Sequence, residues 1–246
     1  MPLQPAPVQT RHSHPHSEPR VSRDLPDLAP LIDHALLDPH HGAEAVRERS
    51  DEARHFGFAG ICLASRWVAT ARPLLPPGDR VRLISVVGFP FGAVPAAIKR
   101  AEAEAAATAG ADELDVVPDF GALADGDSSA VHDDLAVICE LGLPVKVIVE
   151  VGRLSDAALQ LLVEASLDAG VRWLKSGSGF GPPVTPPQIR RLAELARGRA
   201  GVKASGGISS LEQAYALVEA GATRLGTSRG VTLMQALRGP TTPPEG

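Results

Sequence analysis

One unit recurs along this chain of 246 residues and restricts its fold more than any other feature: an Ala/Leu-rich helical stretch, a glycine, a few residues, then a short apolar run. ATAGADELDVV, CELGLPVKVIV, LDAGVRWLKS and VEAGATRLGTS are the clearest copies, and HFGFAGICLA is a looser one nearer the start. Gly57, Gly110, Gly142, Gly170 and Gly221 each stand where such a helix would end. A residue without a Cβ can turn left-handed there and direct its N–H at the last helical carbonyls. Helix starts are equally legible. Thr185 precedes Pro186 and has Gln188 three residues on, and Ser210 has Gln213 three residues on; both are capping-box patterns. Strands are therefore expected near 60–64, 82–88, 113–118, 145–151, 172–176, 201–205 and 224–228, with LIDHALL at 31–37 as an eighth before a helix from Ala43 to His55.

Strands joined by one crossover helix each run parallel. Eight consecutive βα units in a chain of this length point to class α/β and a (β/α)8 TIM barrel, which usually takes about 250 residues. An open doubly wound sheet is the alternative. Against it, no GxGxxG follows the first strand, and GSGFG at 177–181 comes late and precedes proline rather than a helix.

The ends of the chain differ from its middle. Residues 1–24 mix Pro, His, Ser and Arg with almost no apolar periodicity, a composition that cannot bury enough surface to offset its ordering entropy. A disordered N-terminal tail over 1–24, one barrel domain over 25–238 and a flexible Pro-rich C-terminal tail over 239–246 are expected. His12, His14 and His16 alternate in the first tail and could hold a metal, although solvated histidines are the more frequent reading of such a tail.

With 44% hydrophobic residues the middle can build a sizeable core. The 24 basic residues are scattered among 29 acidic ones for a net charge of -5, so no basic footprint for nucleic acid or a membrane surface is visible. Cys62 and Cys139 lie far apart and outside any CxxC pair, which argues against a disulfide framework or zinc knuckle and suits a reducing compartment. No apolar run approaches a membrane span and no secretory signal opens the chain, so a cytoplasmic location is expected.

Four of the expected strands carry charge amid apolar residues: Asp115 in ELDVV, Lys146 in VKVIVEV, Lys175 in WLKSG and Lys203 in VKASGG. Neighbouring strands of a barrel bring inward side chains near their carboxyl ends together. Lys175 then has Asp115 as counterion, while Lys203 nearby makes it costly to keep both amines protonated. An amine so placed is nucleophilic near neutrality and suits Schiff-base chemistry with a carbonyl substrate. The alternative is a structural ion-pair network that plugs the barrel. Beyond the last two strands, SGG at 205–207 and GTSRG at 226–230 suit backbone contacts to a phosphate, although ordinary turn glycines look similar.

Other positions receive quieter readings. Cys62, at a strand end, is read as a small buried filler. Lys146 and Glu150 share one face of their strand and are read as a supporting salt bridge. His34 should point away from the side that Asp33 faces, and Trp67 and Trp173 are read as packing.

Taken in order, LIDHALL, GICLASRWV, VVGFPFGA, GADELDVVPDFGAL, VKVIVEVGRL, WLKSGSGFG, VKASGGI and GATRLGTSRG resemble the deoxyribose-phosphate aldolase family across nearly all of 31–230. The resemblance implies a metal-free class I aldolase, without cofactor, that splits 2-deoxy-D-ribose 5-phosphate into acetaldehyde and D-glyceraldehyde 3-phosphate. By position it implies that Lys175 forms the Schiff base, Lys203 is the second lysine, Asp115 is the proton-shuttling acid, and Asp33 contacts the lysine network. Gly179, Gly206, Gly207, Gly226 and Ser228 match phosphate-loop positions, with Arg229 in the last of these loops, and a cysteine such as Cys62 can lie near substrate. Departures from the family pattern are Ala35 for threonine, Pro118-Asp119 for an Asn-containing segment, Gly177 for serine and Arg229 for a small residue. The expected partners are a small sugar phosphate and a second copy of the chain in a dimer, with no nucleic acid or membrane. Imine chemistry on another short aldehyde pair, a catalytically silent sugar-phosphate-binding barrel and a metal-dependent aldolase are the competing readings.

Overall fold

The structure, a computed structural model, describes residues 26–238. Both expected tails, with His12, His14 and His16, lie outside the described residues. Eight parallel strands close into a barrel in chain order: β1 (Ile32–Leu36), β2 (Gly60–Leu63), β3 (Arg82–Val87), β4 (Glu113–Val116), β5 (Val145–Ile148), β6 (Trp173–Lys175), β7 (Gly201–Ser205) and β8 (Arg224–Thr227), with β8 pairing back onto β1. Each falls within the stretch the glycine repeat predicts. Two stop early for local reasons. Glu150 takes a left-handed φ of 47° soon after β5, and Pro118, without an N–H to donate, follows soon after β4.

The intervening helices are α1 (Ala43–Phe56), α2 (Val68–Ala71), α3 (Ala96–Thr108), α4 (Phe120–Ala124), α5 (Ser128–Cys139), α6 (Asp156–Asp168), α7 (Pro186–Ala196), α8 (Leu211–Glu219) and α9 (Gly230–Arg238). Their ends are set as the sequence indicates. Gln213 N donates to Ser210 Oγ at 3.2 Å and Ser210 N donates back to Gln213 Oε1 at 3.2 Å. Thr185 N donates to Gln188 Oε1 at 2.9 Å. All five helix-ending glycines have positive φ. At Gly57 φ is 69°, and an added Cβ would meet no atom within 4 Å, so only backbone strain opposes a side chain there. Gly57→Ala is therefore expected to cost about 1 kcal/mol, read as a fall of about 2–4 °C in thermal midpoint with unchanged turnover.

The apolar core occupies the shell between sheet and helices, where Leu36, Ile61, Leu83, Leu114, Val147 and Leu174 meet helical residues such as Val46, Leu135 and Leu162. Inside the barrel the apolar part is small: Cys62, Ile84 and Val86, backed by Leu37 and Phe89. Much of the remaining interior is charged. A second buried charge pair lies outside the barrel, where Lys99 of α3 meets Asp134 of α5 and donates to Val117 O at 3.3 Å. Asp134 Oδ2 also accepts from Asp119 N at 3.0 Å, which ties down the turn after β4.

Candidate active site

Strand alternation sends Asp33, Asp115, Lys146, Lys175 and Lys203 into the barrel, where all five are buried. Asp115 is the hub. Its Oδ1 accepts from Lys146 Nζ at 2.9 Å, and its Oδ2 accepts from Lys175 Nζ at 2.9 Å and Lys203 Nζ at 2.7 Å. Lys175 and Lys203 are register partners on β6 and β7, so their amines reach one oxygen from adjacent strands.

Six of the charged groups form a closed ring. From Asp115 it passes to Lys203, then to Asp33 Oδ2 at 2.6 Å, from Asp33 Oδ1 to Arg224 Nη1 at 2.6 Å, from Arg224 Nη2 to Glu113 Oε1 at 3.5 Å, from Glu113 Oε2 to Lys146 Nζ at 2.5 Å, and back to Asp115. Three carboxylates alternate with three cations, so the ring is neutral as it stands. Lys175 hangs from it as a fourth basic group whose carboxylate contact, Asp115 Oδ2, is shared with Lys203. Below the ring, the Trp173 ring has Lys146 Nζ at 5.7 Å and Arg224 at 5.6 Å from its centroid, a cation–π arrangement that seats the tryptophan in the barrel floor.

The electrostatics follow from this geometry. Burial by itself pushes a carboxyl up, but Lys146, Lys175 and Lys203 hold Asp115 well below the usual carboxylate range. Asp33 is likewise lowered against burial by Lys203, Lys146 and Arg224. For Lys203 burial works against the charge, yet Asp115 and Asp33 outweigh it and hold the amine above its ordinary value. The charged form of Lys203 is therefore the favoured one. Cys62 Sγ lies 3.6 Å from Asp115 Oδ2, and burial with the Asp115 charge pushes its thiol up to about 11. It stays protonated on the apolar side of the site.

Above Lys175 and Lys203 a cavity of about 1000 Å³ opens at the carboxyl ends of the strands. Gly179, Gly206, Gly207, Gly226, Ser228 and Arg229 all line it, as do Cys62 and Ala35. Gly226 is there for space: a Cβ would stand 3.0 Å from Lys203 Cε and 2.8 Å from Ser205 Oγ, blocking the path of the lysine. Ser176 and Ser205 lock the ends of β6 and β7 together, with Ser176 Oγ donating to Ser205 O at 2.9 Å and accepting from Ser205 N at 2.8 Å. Gly177, where the family has serine, sits close to this lock, since a Cβ there would lie 3.3 Å from Ser205 O. Asp119 caps α4 by accepting from Gly121 N at 2.9 Å and Ala122 N at 3.0 Å, so that departure serves a helix start.

One expectation from the sequence is corrected. Lys146 does not pair with Glu150. It points to the barrel floor and pairs with Asp115 and Glu113, whereas Glu150 leaves the strand line in a left-handed turn and accepts from Ser178 N. Glu113, Arg224 and Arg49 were missed by the sequence reading. The first two had a signal, because each lies two residues before an assigned position, Asp115 or Gly226, and so on the same strand face. Arg49 had none: it reaches from α1 to donate to Ser228 O at 3.2 Å and joins the cavity rim. His34 faces outward as expected, with Nε2 2.9 Å from Glu52 and 2.5 Å from Arg49 Nη1. Burial and the Arg49 charge lower it to about 4.

Among the described residues no three His, Cys, Asp or Glu side chains gather as metal ligands would, and no helix is long and apolar enough to cross a membrane. No family model matches the chain. It is 46% identical over 216 residues to a curated protein of Thermosynechococcus vestitus named deoxyribose-phosphate aldolase, covering 87% of this chain and 99% of that one. A Thermus thermophilus protein of the same name is 40% identical over 212 residues, 85% of this chain and 96% of its own length. Among solved structures, the deoxyribose phosphate aldolase of Aeropyrum pernix, described as having a unique tetrameric structure, superimposes with a TM-score of 0.80 at 37% identity over 86% of this chain and 91% of that one.

Proposed function

The chain belongs to the deoxyribose-phosphate aldolase family, and we propose that it cleaves 2-deoxy-D-ribose 5-phosphate reversibly into acetaldehyde and D-glyceraldehyde 3-phosphate through a Schiff base on Lys175. The observation that supports this most is the charge count of the buried ring. Three carboxylates already match Lys203, Arg224 and Lys146. A network that merely plugged the barrel would have no use for a further amine, and a fourth buried charge without its own counterion is unfavourable. Lys175 is the one basic group of the cluster that stands outside the closed alternation, and it lines the cavity, where its Nζ can meet a carbonyl carbon.

The chemistry follows. Lys175 Nζ adds to the C1 aldehyde of the open-chain sugar, and the carbinolamine loses water once its hydroxyl is protonated. Lys203, held cationic, donates toward that oxygen, with Asp115 between the two amines as the shared acceptor. The iminium is an electron sink. Removing the C3 hydroxyl proton breaks C2–C3, forms the aldehyde of glyceraldehyde 3-phosphate and leaves the electron pair in an enamine on Lys175. Protonating the enamine carbon and adding water to the iminium returns acetaldehyde and free lysine. Asp115, held far down, passes protons between water and the lysines rather than keeping them. Asp33 fixes Lys203 from the opposite side.

The phosphate is assigned to the rim formed by Gly179, Gly206, Gly207, Gly226 and Ser228, with Arg229 supplying positive charge. Cys62 and Lys146 support the site without touching the reacting atoms. Neither a metal nor a cofactor has a step in this cycle. The enzyme is assigned to the cytoplasm, where phosphorylated sugars are retained by their charge. A dimer is assigned by the sequence reading, and sedimentation would separate it from a tetramer of the kind described for the Aeropyrum pernix relative.

Borohydride reduction in the presence of 2-deoxyribose 5-phosphate, followed by peptide mass mapping, tests the reading. A stable adduct is expected on the peptide that carries Lys175, and pretreatment with a chelator should leave it undiminished. An adduct on Lys146 or Lys203, or none at all, would reject it.

A further inference from the structure

Glu150 carries two unfavourable features at once. Its backbone is left-handed, with φ 47°, although it is not glycine, and it is an acidic residue only 8% exposed. A residue held in a strained conformation persists only where its surroundings determine it strongly, and such residues concentrate at functional sites. What the strain achieves is visible in the contacts. Val149 N and Val151 N donate to Lys175 O and Ser176 O, both at 2.9 Å, so the chain after β5 runs alongside the chain leaving β6. The left-handed turn between those bonds directs the Glu150 side chain under the 177–181 loop. There Oε1 accepts from Ser178 N at 2.5 Å, and Oε2 fills the space beside Gly181, where a Cβ would come within 2.4 Å of it. Arg153 Nη2 holds the far end of the loop by donating to Phe180 O at 3.3 Å.

The loop needs such a tether because it is a partition. One side faces the catalytic cavity through Ser178, Gly179 and Phe180. The other faces a separate, mostly apolar pocket of about 320 Å³, lined by Ser178, Phe180, Phe91 and Phe120 and also by Glu150 and Arg153. A wall with open space on both sides has little packing to fix its shape.

We propose that Glu150 is a positioning residue for the reaction: its carboxylate pins the 177–181 loop from beneath in the shape that presents Gly179 to the substrate phosphate. The inference rests on the assignment of the phosphate to this rim. Since Ser178 N is already engaged by Glu150, the part of the loop left to meet the anion is Gly179, whose φ of 94° turns the backbone there.

Three variants, Glu150→Gln, Glu150→Ala and Glu150→Gly, assayed with 2-deoxyribose 5-phosphate and with unphosphorylated 2-deoxyribose, test this. Glu150→Ala and Glu150→Gly should raise KM for the phosphorylated sugar up to about tenfold, the scale of one lost hydrogen bond. KM for 2-deoxyribose should stay unchanged, and Glu150→Gln, which keeps an acceptor oxygen, should stay near wild type. Hydrogen exchange over 176–181 should accelerate in the Ala and Gly variants and not in Gln. Glu150→Gly relaxes the backbone strain, so it carries the test if the alanine variant folds poorly. An unchanged KM ratio between the two sugars, or unchanged exchange, overturns the proposal. Should the wild-type enzyme fail to distinguish the two sugars, the phosphate assignment itself falls, and the proposal that Glu150 serves it falls too, whereas exchange still reports whether the tether exists.

Discussion

Lys175→Met is expected to remove aldol cleavage almost completely while leaving the protein as stable as before or more so. Methionine keeps the length and apolar stem of lysine and deletes only the amine. The activity loss should be on the order of 10⁶-fold, the scale seen when a covalent nucleophile is removed, and borohydride should trap no adduct. The stability expectation comes from the ring. With Lys175 gone, Asp115, Lys203, Asp33, Arg224, Glu113 and Lys146 still alternate in a closed neutral circuit, and replacing an imperfectly compensated buried charge by an apolar group is often neutral or stabilising. Lys203→Met opens the same circuit, leaving Asp33 and Asp115 each short of a cation, and should lose stability as well as activity. Turnover in Lys175→Met comparable to wild type would reject the Schiff-base assignment. A large stability loss would show that Lys175 belongs to the ring after all. Acetaldehyde release and urea unfolding measure the two effects separately.

The contrast between those two lysines also shows what a sequence can reveal of such a site. The barrel was legible because its signals are local: a glycine after five of the helices, two capping boxes, and strand-sized apolar runs between the helical stretches. The convergence of Asp115, Lys146, Lys175 and Lys203 was legible once the barrel was assumed, because period-two alternation and strand order fix which side chains face inward. What distinguishes Lys175 from Lys203 is not local. It depends on Asp33 and Arg224 reaching each other from β1 and β8, which are neighbours only because the sheet closes. The partner of Lys146 was misassigned for a related reason. Lys146 and Glu150 share a face only if the strand continues to 150, and the left-handed turn at Glu150 ends that alternation. Nothing in the local sequence announces positive φ at a glutamate, a residue type that seldom adopts it. Arg49, on helix α1, reaches the rim across 179 residues of chain.

Asp115→Asn should damage both fold and chemistry, and its pH dependence should separate the two. Both carboxylate oxygens of Asp115 accept from lysines, whereas an amide offers one acceptor and places an NH2 donor against an ammonium. The anion that links Lys203 to Lys146 disappears, and the ring is left with more positive than negative charge. Breaking a buried pair from one side costs about 3–5 kcal/mol, which corresponds to a fall of roughly 10 °C in thermal midpoint for a chain of this size. Because the folded-state carboxyls of Asp115 and Asp33 are lowered, their contribution to stability is fully present above the ordinary carboxylate range. It is lost as pH falls through the folded-state values. The wild-type protein should therefore lose stability steeply on acidification. In Asp115→Asn that position no longer titrates, so the acid limb should be shallower and the stability curves should draw together toward low pH. Turnover should fall by roughly 10²–10⁴-fold at neutral pH, the range for loss of a positioned acid or base. It should stay low at pH values where urea unfolding shows the variant to be fully native. Equal acid limbs in the two proteins would remove Asp115 as the hub of the buried charge, and native-state turnover near wild type would remove it from the proton relay.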